Sequence, residues 1–322
     1  MGAFKVGHAS AKDKVVLVMG ATGTGKSRLA VDLAAHFGGE IINSDKMQVY
    51  AGLDVVTNKV IDEERAGIPH HLLGSVPPDA EFSAVDFRRE ATLAVESILR
   101  RGRLPILAGG SNSFVEELVD GGGWEFRRRY ECCFLWVDVH LPVLHQFVAE
   151  RVDRMVERGL VKEVRQLFDP EVADYTRGIR RAIGVPELDR YLRAEAASAG
   201  DEAARARLLE AAIDEIKANN CKLTCCQLQK IHRLSTLAGW NMSKLDATEV
   251  FRRKGKEADE AWEAQVAIPS IQLVAKFLQQ AKVEEEKKMV MAVANSKAAA
   301  SVDMVNVVPP APAAAAVVGA MV

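Results

Sequence analysis

Val15-Val16-Leu17-Val18-Met19-Gly20-Ala21-Thr22-Gly23-Thr24-Gly25-Lys26-Ser27 runs from an apolar segment straight into a glycine-rich, lysine-ended turn. Five apolar residues predict a buried strand, and Gly20 to Ser27 fits G-x-x-x-x-G-K-[ST]. Closely spaced glycines let successive backbone N–H groups turn inward on phosphoryl oxygens, and the N-terminus of the next helix adds partial positive charge. Lys26 supplies a full charge and the Ser27 hydroxyl is a ligand for Mg²⁺. Leu29, Leu33 and Phe37, with Ala30 and Ala34, form a helical stripe directly after the loop, and Gly38-Gly39 ends it. Strand, glycine-rich turn and helix in that order predict an α/β fold, a P-loop NTPase-like parallel sheet with helices on both faces.

Further apolar runs extend the sheet. Ile41-Ile42 leads into Asn43-Ser44-Asp45, Leu104 to Ala108 into Gly109-Gly110-Ser111-Asn112-Ser113, and Cys132 to Val139 is the most apolar strand. Each places polar residues past the C-terminal end of a strand, the edge where open α/β sheets hold ligands. Ser83-x-x-Asp86 predicts a capped helix carrying Val85, Leu93, Ile98 and Leu99, stopped at Gly102. From Pro142 the pattern is helical, with Leu144, Val148, Val152 and Met155 on one stripe, and a long helix is predicted from Asp201 to Leu237. The organisation read from this is a flexible N-terminus over 1–13, a phosphate-loop core over 14–141, a small helical appendage over 142–200, C-terminal helices completing the core over 201–280, and a disordered Glu/Lys then Ala/Val/Pro tail over 281–322.

Composition narrows the class. The 322 residues carry a net charge of −2, which gives no general attraction to polyanions, and Arg127-Arg128-Arg129 is the only compact basic run, read as a solvated loop. Five cysteines form an odd set without disulfide or structural-zinc spacing, and no secretory signal opens the chain. A reducing compartment follows, cytoplasmic or alternatively plastid, and the terminal apolar stretch is too short to span a membrane. The adjacent His70 and His71 have diverging side chains and no further ligands at useful spacing.

A phosphate loop alone leaves kinase, hydrolase and transferase open, so a carboxylate must decide. Asp138 near the end of the Phe134–Val137 run is one candidate, as a metal ligand or simply a sheet-edge acid. Asp45 has the better position, in a turn with Asn43, Ser44 and Gln48 near the loop, as an acceptor for a substrate N–H or O–H.

The ordered motifs Gly20 to Ser27, Asn43-Ser44-Asp45-Lys46-Met47-Gln48-Val49-Tyr50, Thr57-Asn58-Lys59, Ile68-Pro69-His70-His71, Ala108 to Ser113, Gly178-Ile179-Arg180-Arg181 and Asp246 to Phe251 resemble the plant isopentenyltransferases, the adenylate (ATP/ADP) dimethylallyltransferases that begin cytokinin synthesis. The resemblance spans roughly residues 14–280. It implies that the loop grips the diphosphate of dimethylallyl diphosphate while an adenine nucleotide is the acceptor, alkylated at N6. It implies Asp45 as the base. It implies Lys26, the loop from Gly20, Ala21, Thr22, Gly23, Thr24 and Gly25 to Ser27, a Ser27-bound Mg²⁺, Ser111, Arg180 and Lys217 as the groups that hold phosphate. The family's arginine before Gln227 is replaced by Cys226, and Ala51 stands where lysine is common. A tRNA dimethylallyltransferase, which usually has a larger insert, a small-molecule kinase and a non-catalytic homologue are the competing readings, with tRNA the less expected partner.

Overall fold

The computed structural model describes residues 12–198 and 200–280; the tail read over 281–322 and the residues before Lys12 lie outside it. Lys12–Phe277 form one compact unit. Its centre is a six-stranded, wholly parallel sheet in the order β3-β2-β4-β1-β5-β6. The strands are β1 Asp13–Met19, β2 Gly39–Asn43, β3 His70–His71, β4 Leu104–Ala108, β5 Tyr130–Asp138 and β6 Met242–Asp246. Strands β2 and β4 are buried at every residue and β1 over its last five, as a sheet covered on both faces requires.

In chain order the helices are α1 Lys26–Phe37, α2 Asp62–Arg65, α3 Ala84–Arg100, α4 Asn112–Arg129, α5 Leu141–Glu157, α6 Leu160–Leu167, α7 Val185–Ala196, α8 Glu202–Ser235, α9 Thr248–Arg252 and α10 Gly255–Trp262. The crossovers from β1 to β2 and β2 to β3 run one way along the sheet and those from β3 to β4 and β4 to β5 run back. Right-handed connections therefore put α1 on one face and α3 and α4 together on the other. The predicted helical segment after Pro142 becomes α5 to α7, of which α5 and α7 pack on the 34-residue α8.

Helix α3 begins at the predicted box: Ser83 Oγ accepts from Asp86 N at 3.1 Å and the Asp86 carboxylate accepts from Ser83 N at 3.0 Å. Its buried face differs from the predicted stripe. Phe87, Ala91, Val95 and Ile98 are fully buried, at i, i+4, i+8 and i+11, while Val85 and Leu93 are 55% and 54% exposed. Phe87 stacks on Phe114 of α4 at 4.6 Å between ring centres, and that contact sets the rotation of the helix. Arg127 and Arg129 lie on the short helical turn that ends α4 after a non-helical break over Gly121, Gly122, Gly123 and Trp124, rather than in a loop, paired with Asp120 at 2.5 Å and Glu96 at 2.6 Å. Strands β3 and β6 are short edge strands that the apolar pattern did not signal.

Candidate active site

Strand order builds the site. Because β4 lies between β1 and β2, the turns after all three strands meet at one sheet edge. Ser44 N donates to Ala108 O at 2.9 Å, Ser111 N to Ser44 O at 3.2 Å, and Lys46 N to the Ser111 hydroxyl at 2.8 Å. The turns are packed so closely that a Cβ on Gly109 would stand 2.3 Å from the Ser44 carbonyl carbon and 2.5 Å from Asp45 N. Only glycine fits there without moving the Asp45 turn.

Asp45 is oriented by its own turn. Asn43 Oδ1 accepts from Asp45 N at 3.2 Å, and Asp45 Oδ1 accepts from Met47 N at 2.9 Å and Gln48 N at 3.3 Å. With Oδ1 held by the backbone, Oδ2 lies on the side of Gly110, where a Cβ would come within 3.2 Å of it.

The phosphate loop closes on itself: Lys26 Nζ donates to Ala21 O at 2.5 Å, and the Thr24 hydroxyl donates to the same oxygen at 3.0 Å. Lys26 is buried, and burial pushes its ammonium down to about 8, against the opposing pull of Asp45 and with a smaller push from Arg151. Arg151 of α5 is the second cation here. Burial lowers it to about 10, with Asp45 again opposing; its Nη2 donates to Thr22 Oγ1 at 3.1 Å and Asn220 Oδ1 at 3.4 Å, while its buried Nε has no partner. Two desolvated cations beside the glycine-rich loop favour an anionic ligand at this place.

Gln227 of α8 joins the first and third turns. Its Oε1 accepts from Thr22 N at 2.7 Å, its Nε2 donates to Gly110 O at 2.8 Å, and its carbonyl accepts from Asn112 Nδ2 at 3.0 Å.

Thr22, Lys26, Asp45 and Arg151 line a cavity of about 900 Å³ together with Gly23, Gly25, Ser27 and Gly110. Of the residues expected to hold phosphate, Gly20, Ala21, Thr24, Ser111, Arg180 and Lys217 are not on its wall. The Ser111 hydroxyl is engaged by Lys46 N, Arg180 Nη1 donates to Leu167 O at 3.3 Å, and Lys217 Nζ pairs with Asp153 Oδ1 at 2.6 Å. Asp138 pairs through Oδ2 with Lys244 at 2.8 Å, and Cys226 is exposed on α8 outside the cavity. His70 and His71 diverge as expected: His71 Nε2 meets Glu40 at 2.7 Å and His70 Nδ1 meets Ile68 O at 2.8 Å.

In place of those residues, α5 turns Arg151 and Arg154 to the cavity, its C-cap adds Arg158, and the stretch after β6 adds Arg253 and Lys254. The i, i+3, i+7 spacing of the three arginines is a one-face helical signal readable in the sequence. Nothing local to Gln227 announces its role.

The IPP transferase family model matches residues 48–128 and 123–233. The chain is 63% identical over 268 residues to adenylate isopentenyltransferase 5, chloroplastic, of Arabidopsis thaliana, covering 83% of this chain and 81% of that one. It is 53% identical over 268 residues to adenylate isopentenyltransferase 7, mitochondrial, of the same plant, covering 83% and 80%. Among solved structures, a eukaryotic dimethylallyltransferase acting on tRNA superposes with a TM-score of 0.69 at 25% identity, over 83% of this chain and 80% of that one.

Proposed function

The chain belongs to the IPP transferase family and is a prenyltransferase, and from that premise we propose that it moves the dimethylallyl group of dimethylallyl diphosphate to N6 of ATP, ADP or AMP, the reaction that opens cytokinin synthesis. The observation that carries this reading is one cavity in which Asp45 faces the phosphate loop with Lys26 and Arg151 beside it. The loop takes the donor's diphosphate. As the C1–O bond breaks, its electron pair leaves with diphosphate, and Lys26, Arg151 and the loop N–H groups stabilise the growing negative charge. The N6 lone pair forms the new bond to C1, and the N6 proton passes to Asp45 Oδ2, because an amine conjugated with a purine is a weak nucleophile until a base accepts its hydrogen. Arg154, Arg158, Arg253 and Lys254 offer charge for the acceptor's phosphates farther along the cavity.

The donor set fits Mg²⁺. No cluster of three or more His, Cys, Asp or Glu residues suited to a metal occurs among the described residues. Mg²⁺ in phosphate sites takes one or two protein ligands, with substrate phosphate and water completing its shell. Ser27, exposed and lining the cavity, is the protein ligand we assign to it. When bound, the ion supplies further neutralisation of the leaving diphosphate.

The choice of free nucleotide over tRNA rests on the names of the relatives and on the absence of a net positive charge. No helix among the described residues is long and apolar enough to cross a membrane. The relatives' names, one chloroplastic and one mitochondrial, support an organelle, the plastid being one of the two, over the cytoplasm as the home of this chain. Purified protein incubated with dimethylallyl diphosphate, Mg²⁺ and AMP, ADP, ATP or tRNA, followed by mass spectrometry, tests the reaction. Prenylated nucleotide is the expected product. Prenylated tRNA alone, or phosphorylated product without prenyl transfer, overturns the reading.

A further inference from the structure

Trp262 is 2% exposed at the end of α10, more than 230 residues along the chain from the phosphate loop that it touches. Its indole N–H donates to Asp32 Oδ2 of α1 at 2.7 Å. Its six-membered ring lies against Gly25, where an added Cβ would come within 2.7 Å of the ring. Gly25 adopts φ +91°, a left-handed conformation that glycine tolerates, so the loop's last turn is both glycine-dependent and roofed by this ring. Arg28, one turn before Asp32 on α1, lies over the same indole at 4.7 Å and pairs with Asp259, one turn before Trp262 on α10, at 3.0 Å. Two residues of α1 thus clasp two residues of α10. The segment so held carries Val250, Phe251, Arg253 and Lys254 to the cavity as one of its walls.

An allylic donor that develops positive charge at C1 is open to capture by water, and a transferase must keep water out while the acceptor approaches. We propose that Trp262 is a positioning residue: tied to Asp32, it latches the 250–262 wall over the phosphate loop and so directs the allylic carbon to the nucleotide rather than to solvent. When the latch opens, water forms the bond to C1 as the C1–O bond breaks, giving dimethylallyl alcohol, diphosphate and a proton. The proposal rests on the prenyl-transfer reading above.

The test uses the full chain and measures the ratio of dimethylallyl alcohol to prenylated nucleotide. A hydrogen bond to a charged acceptor corresponds to about tenfold in the population of the closed form. W262F, which keeps a ring and loses the N–H, and D32A, which loses the acceptor, should each raise the ratio by about that factor. The double variant should rise no further than either single one. D32N, which retains an acceptor oxygen, should stay within about threefold of the wild type. An unchanged ratio in both single variants overturns the latch, as does a double-variant effect equal to the product of the two. If W262F does not fold, D32A against D32N makes the same comparison. If the wild type forms no prenylated nucleotide, the reaction assignment fails instead; the latch is then read by hydrogen exchange over 255–262, which D32A should accelerate and D32N should not, and equal exchange in the two overturns it.

Discussion

Asp45→Asn separates the proposed chemistry from the architecture around it. The replacement keeps an oxygen where Asp45 Oδ1 accepts from Met47 and Gln48, at 2.9 and 3.3 Å, so the turn retains its two hydrogen bonds and loses only their charge assistance. That loss should cost about 1 kcal/mol of stability, visible as a fall of a few degrees in melting temperature. Removing the base should lower kcat by about two orders of magnitude or more, equivalent to roughly 3 kcal/mol on the barrier. The donor's KM near neutral pH should change by no more than about threefold, since the phosphate loop is untouched. A further effect follows from the charge. Asp45 supports the cationic form of Lys26 against burial, so without it the lysine should lose its proton at lower pH and the alkaline limb of kcat/KM for the donor should move down. Steady-state kinetics with dimethylallyl diphosphate and ADP between pH 6.5 and about 9.5 measures all of these. Turnover within threefold of the wild type, in a variant that melts normally, would remove Asp45 as the base. A rise in donor KM with kcat preserved would instead make it a binding residue.

Four other outcomes are expected. In the wild type, kcat/KM for the donor should fall above pH 8, by up to tenfold per pH unit, because Lys26 with its depressed pKa of about 8 loses the charge that grips diphosphate; a flat profile to pH 10 refutes this. The sign for stability is opposite: between about 8 and 10.5 the unfolded chain binds this proton more readily than the folded one, so the Lys26 contribution to folding improves with rising pH, measurable by urea titration of a K26M comparison. Gln227→Ala leaves Thr22 N–H and Gly110 O without their partner and should cost about 2–3 kcal/mol, with donor KM rising by at least about tenfold; isothermal titration with the donor checks it, and unchanged affinity contradicts the bridging role. Ser83→Ala removes the α3 cap and should cost about 1 kcal/mol in chemical denaturation while leaving kcat unaltered, since the cap is remote from the cavity; a loss of activity without a loss of stability would contradict that separation.

The phosphate loop, the strand before it and the helix after it were legible because one rule of local geometry covers them: closely spaced glycines admit backbone conformations that other residues resist, and the apolar period changes from strand to helix at the loop. Asp45 was legible for a related reason, standing two residues past a second strand that must end at the same sheet edge. The α3 stripe was misread because Val85 and Leu93 are apolar by type, whereas burial is decided by which face meets Phe114, a residue of α4. Edge strands β3 and β6 gave no apolar run because only one neighbour covers each of them.

The local pattern alone placed a phosphate-loop motif at a sheet edge, and the resemblance of its ordered motifs gave the family to which the chain belongs. Tertiary structure decided which charges stand there. Arg180 and Lys217 resemble phosphate ligands by motif but turn to Leu167 and Asp153, while Arg151, Gln227 and Trp262 reach the loop from 120 or more residues away. The physical reason is that a side chain's electrostatic worth depends on burial and on what faces it, and both are set by packing between α1, α5, α8 and α10, which no local pattern encodes.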